Sequence, residues 1–154
     1  ASELVLFTAA SNLRGWPPDG RALPQGMDAS RKRIAHRAIS ESGKYADKGY
    51  YGPALDMLRT QPSDIMQYAP LPYETGRLAS EMIKIGAYGG SYGTSPELSR
   101  EELKEIAVKY LIMAKDAEAR TVISHRAPSD INDAIRKKAG ESGAWLLDTE
   151  ELLR

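Results

Sequence analysis

The chain has 154 residues, 21 lysines and arginines against 21 aspartates and glutamates, two histidines and no cysteine. That length suits one domain, 1–154, able to bury roughly 70% of the surface its unfolded form exposes. The charge balance excludes a global field for nucleic acid or an anionic membrane, leaving only a local patch to do such work, and the missing thiols and scarce imidazoles leave no expected metal or cofactor.

The first residues, Ala-Ser-Glu-Leu, lack the basic region and long apolar core of a signal peptide, and the apolar run from Leu4 to Ala10 is too short to span a bilayer. A soluble, cytoplasmic protein with no membrane partner is the expectation. Leu4-Val5-Leu6-Phe7 favours a strand near 4–8, with a short helix capped by Ser2 as its rival. Residues 12–26, NLRGWPPDGRALPQG, carry three prolines and three glycines and read as a loop, with Trp16 packing it onto the body.

Asp28 then stands as the N-cap of a helix reaching about Tyr45, with Ile34, Ala35, Ala38 and Ile39 as its apolar stripe. Its other faces are basic. Arg31, Lys32, Arg33, Arg37 and Lys44, with His36 and Lys48 nearby, form the cationic concentration of the first half, the kind of cluster that neutralises phosphates. Glu41 and Asp47 dilute it, and the plainer reading is a solvated helix face.

A break at Gly49 to Pro53 precedes a short helix over 54–59, and a second helical piece opens at Pro62-Ser63-Asp64. Residues 68–73 are expected to be extended, because a residue before proline avoids the helical region. A helix over 74–85 follows, pointing Leu78, Met82 and Ile85 inward, and ends in the loop GAYGGSYG over 86–93. That loop lacks the lysine and spacing of a phosphate-cradling motif and suits a flexible connection.

The longest helix begins around Thr94-Ser95-Pro96, with Ser99 and Glu102 at capping-box spacing and Leu103, Ala107, Tyr110, Leu111 and Ala114 as the buried stripe. The last segment reads as strand, helix, strand. A strand over 121–124 ends before Ala127-Pro128; Ser129 caps a helix burying Ile131, Ala134, Ile135 and Ala139; Gly140 and Gly143 end it; and a buried strand follows over 144–147. Strands joined through such a helix are normally parallel neighbours. The expected class is therefore α/β, helix-rich, with a small mainly parallel sheet from strands near 4–8, 121–124 and 144–147. An all-α bundle is the alternative, if 103–124 is drawn as one long helix and 145–153 as a terminal one.

Open α/β sheets bind ligands at the C-terminal edge of their strands. Ser11 and Asn12 would lie beyond the first strand there, and Ser124, His125 and Arg126 beyond the 121–124 strand, with the helix starting near Ser129 aiming its free N–H groups at the same place. His125 is the candidate acid or base, Arg126 the charge stabiliser, and Asp130 a group to orient His125 or a metal. The bland account makes these residues servants of their own turn. Asp148, Glu150 and Glu151 could ligate a metal but more often form a solvated last helix. The function expected is binding of a phosphate-bearing partner, nucleic acid or nucleotide, with hydrolase or transferase chemistry at the sheet edge left open. The alternative is a non-catalytic oligomeric assembly or adaptor protein of a larger complex.

Overall fold

The computed structural model describes residues 4–7, 17–18, 23–24, 26–89, 98–119 and 129–152. In chain order the elements are β1 (Val5–Phe7), α1 (Ala29–Ala46), α2 (Tyr51–Arg59), α3 (Pro70–Ile85), α4 (Arg100–Ala119), α5 (Ser129–Ser142), β2 (Trp145–Leu147) and α6 (Thr149–Leu152). The protein is helix-rich, with a two-stranded parallel sheet in which Val5, Leu6 and Phe7 stand opposite Trp145, Leu146 and Leu147.

The first four helices make the core. α3 lies along α4, and α2 packs against both α1 and α3. Leu55 and Leu58 of α2, Leu78 and Met82 of α3 and Leu103 and Ala107 of α4 are buried together, and α1 adds the small residues Ala35 and Ala38. α5 instead contacts the two strands. Ser129 N–H, at the start of α5, donates to Asp116 Oδ1 of α4 at 2.8 Å.

Local signals set the helix starts. Asp28 Oδ1 accepts the Arg31 N–H at 2.8 Å, as its N-cap position requires. The capping box also forms. Glu102 Oε2 accepts from Ser99 N–H at 2.7 Å and from the Ser99 hydroxyl at 2.8 Å, while Ser99 Oγ accepts the Glu102 N–H at 3.2 Å. These donors hold the Glu102 carboxyl below its ordinary value, the Ser99 N–H first among them. A depressed carboxyl contributes stability above its ordinary range and loses it as pH falls through the folded value. Ser99→Ala should therefore destabilise the protein at neutral pH, and chemical denaturation at pH 7 and pH 3 should find a smaller loss at the lower pH.

Several expectations are corrected. α3 starts at Pro70, not at Glu74, and Ala69 is helical (φ −45, ψ −38) although a proline follows it. Prolines in a first turn lack only an N–H that would have no helical acceptor, and burial of Leu71 and Tyr73 outweighs the local preference for extended backbone. Residues 63–67 form turns instead of a helix. The 145–147 strand is exposed along its length, with Trp145 at 67%; the apolar run that reads as buried pairs on one side and leaves its side chains open. In α5, Ile131 and Ala134 face outward and Asn132 and Ala139 inward. Ser129 Oγ accepts no hydrogen bond among the described residues, so Ser129 is not the side-chain cap expected of it; Ile131 N–H is taken by Asp130 Oδ1 at 3.0 Å. The 121–124 strand lies outside the described residues.

Candidate functional site

On α1 the basic residues divide by what holds them. Arg31 Nε sits 3.0 Å from Asp64 Oδ2 and its Nη1 donates to the Gly26 carbonyl at 3.0 Å, so this guanidinium ties the helix start to the 62–69 segment. Lys44 pairs with Glu41 at 2.8 Å, which holds the Glu41 carboxyl below its ordinary value. Lys32 Nζ lies 5.7 Å from the centre of the Tyr68 ring, within cation–π reach.

Arg33 and Arg37 differ. They are one turn apart on the exposed side of α1, and neither makes an ion pair with a described residue. Beside Arg37 a shallow groove of about 280 Å³ is lined by Ile34, Ala38, Glu41, Met57 and Gln61, and Ile34 is 45% exposed there. Ile34, expected in the buried stripe, is thus part of the surface. α2 packs on Ala35 and Ala38 and leaves the neighbouring position open.

Between Lys32 and Arg37 stands His36, whose Nε2 is hydrogen-bonded to the Tyr68 hydroxyl at 3.1 Å, the two rings 5.5 Å apart. Tyr68 is almost wholly buried, and burial pushes its phenol above its ordinary value. The pair anchors the basic helix to the segment before α3. Sequence reasoning placed His36 near the patch but had no signal for Tyr68, 32 residues away.

The sheet-edge candidates fare differently. Ser11, Asn12, Ser124, His125 and Arg126 lie outside the described residues; Ser129 and Asp130 open α5. Because β1 and β2 are parallel, their C-terminal ends share one edge. The chain turns at Gly143, whose φ of 65° suits glycine, and α5 runs back along the strands so that mid-helix Arg136 reaches Asp148 just past β2. This contact is bidentate, Nε to Oδ2 at 2.7 Å and Nη2 to Oδ1 at 3.1 Å, and Arg136 Nη1 also meets Asp133 at 2.8 Å. Asp148 further accepts the Glu151 N–H at 3.1 Å. Its carboxylate therefore serves the helix and strand junction, and among the described residues no group of three His, Cys, Asp or Glu side chains is placed to hold a metal ion.

A second polar cluster was not foreseen. Lys115 and Asn132 are fully buried and Glu118 nearly so, where α4 ends and α5 begins. Lys115 Nζ is 3.9 Å from Asp116 Oδ1, the atom that receives the Ser129 N–H. No helix of the described residues is long and apolar enough to cross a membrane. Compared with known proteins, the chain matches no family model, no curated protein and no solved structure.

Proposed function

We propose that the protein binds a phosphate-bearing partner, nucleic acid or nucleotide, through the exposed face of α1, in the cytoplasm. One observation carries this reading: Arg33 and Arg37 stand a turn apart, exposed, and without an ion pair among the described residues. Arginines of the neighbouring helices are instead matched by an acid three residues away, Arg59 by Asp56 and Arg77 by Glu74. The groove beside Ile34 and Met57 offers apolar surface for a base or sugar next to the Arg37 guanidinium, with the Glu41 carboxylate, paired to Lys44, also on its wall.

The α/β fold, with residues 121–124 as a further parallel strand, belongs to the same proposal. Ser11, Asn12, Ser124 and Arg126 would hold an anion at the sheet edge, with Ser129, and His125 would act as acid or base if the protein is a hydrolase or transferase. The parallel pairing of β1 and β2 supports that part.

Fluorescence anisotropy with labelled single- and double-stranded oligonucleotides across a salt series tests the α1 surface. Binding should weaken with salt, and Arg33→Ala combined with Arg37→Ala should reduce the slope of log K against log salt by about 2. An unchanged slope, or no binding at low salt, removes α1 from the role.

A second reading is an oligomeric assembly protein, favoured by the adjacent exposed apolar residues Leu4, Val5, Trp145, Leu146 and Leu147. Light scattering across a concentration range decides it: a monomer throughout speaks against assembly through that sheet.

A further inference from the structure

A cavity of about 300 Å³ opens where α4 meets the segments before α1 and α3, and no residue of α1 lines it. Met66, Met113 and Pro24 give it apolar walls. Its polar groups are the Ser63 hydroxyl, the Gln67 amide and the Asp116 carboxylate, and Asp116 is the charged side chain among the described lining residues. We propose that this is a small-molecule site for an amine: a primary ammonium carried on a compact apolar body.

Size and chemistry both lead to that class. An apolar protein cavity of about 150 Å³ takes one benzene, so the volume here suits a single ring plus a short alkyl chain. Ligand sites pair largely apolar walls with a few convergent polar groups, and methionine walls adapt to an irregular guest. Asp116 is about one quarter exposed; its Oδ1 accepts the Ser129 N–H at 2.8 Å and lies 3.9 Å from the buried Lys115 ammonium, while Oδ2, without a partner among the described residues, is the oxygen for a ligand. A carboxylate fixed in this way is a prepared acceptor for a charge-assisted hydrogen bond. A carboxylate ligand of the same shape would meet it with like charge. Because Oδ1 also receives the first N–H of α5, an ammonium bound at Asp116 would touch the joint between the helical core and the α5 and sheet unit.

The five methionines supply the readout. In a spectrum of the full chain carrying ¹³C-methyl methionine, 2-phenylethylamine should shift the Met66 and Met113 methyls. It should leave Met82, fully buried in the core, and Met57, on the α2 groove, in place. The uncharged 2-phenylethanol and the anionic 3-phenylpropanoate should bind at least about tenfold more weakly, the size of a charge-assisted hydrogen bond. Asp116→Asn keeps an oxygen for the Ser129 N–H and should lower the affinity for the amine to that of the alcohol, with an unchanged circular dichroism spectrum. The proposal fails if millimolar amine moves neither methyl, or if Met57 moves as far as Met113. It fails equally if the alcohol binds as tightly as the amine, or if the folded Asp116→Asn variant binds the amine as tightly as the unaltered chain. Should Asp116→Asn unfold, Ala117→Leu, which narrows the same cavity, must abolish the Met113 shift for the proposal to stand.

Discussion

Gly76→Ala is expected to destabilise the protein, although alanine is the better helix former. Gly76 lies inside α3 where it crosses α4, and a Cβ there would stand 2.7 Å from Leu111 Cγ, 2.9 Å from the Ala107 carbonyl oxygen and 3.0 Å from the Leu111 nitrogen. Two of those three atoms are backbone, so no rotamer change relieves the clash and the helices must move apart. Overpacking of this kind costs about 1–3 kcal/mol, which outweighs the gain of about 1 kcal/mol from helix propensity. The same substitution at Gly43, within α1 and with nothing inside 4 Å of its Cβ, should stabilise by about 0.5–1 kcal/mol. Thermal melts of the two variants should therefore move in opposite directions. A neutral or stabilised Gly76→Ala protein would mean that α3 and α4 do not approach as described.

Lys115→Ala should be the more damaging change, by about 2–5 kcal/mol, the range for emptying a buried long side chain. The whole side chain is removed from solvent, and it lies beside Asp116 and one turn from the buried Glu118. Its stem fills space and its ammonium offsets carboxylate charge, and two variants separate those roles. Lys115→Met keeps the stem and should recover most of the packing loss, retaining a deficit of about 1–3 kcal/mol from acidic groups left without their cation. Urea denaturation of both reads the difference. Equal losses in the two would assign the whole effect to charge; no loss in the methionine variant would assign it to packing.

The caps of α1 and α4 were legible in the chain because their chemistry is short-ranged. Asp28 caps a nitrogen three residues on, and Ser99 and Glu102 exchange hydrogen bonds across the same span. The inward stripe of α4, with Leu103, Ala107, Leu111 and Ala114 buried, followed equally from its spacing. A small parallel sheet that includes the strands near 4–8 and 144–147 was expected and those two strands do pair in parallel, but the helix argument concerned the 121–124 and 144–147 strands, of which the first lies outside the described residues.

Of the site residues, the α1 cations could be named from their spacing, but not sorted. Arg31 is drawn to Asp64 and Lys44 to Glu41, while Arg33 and Arg37 stay open, and only the position of the 62–69 segment separates Arg31 from its neighbours. Ser11, Asn12, Ser124, His125 and Arg126 fall outside the described residues, so the sheet-edge site rests on sequence reasoning and the parallel pairing alone.

What the chain could specify locally were caps, turns and periodicity, because each depends on atoms a few residues apart. Which face of each helix is buried was set by its neighbours. Ile34 and Ile131 carry side chains that belong in a core and face outward, with no described element packed over them; Lys115, near the end of α4, and Asn132, near the start of α5, are polar and face inward. Burial is decided by contacts between distant segments, and a residue's own polarity is only one contribution to that balance.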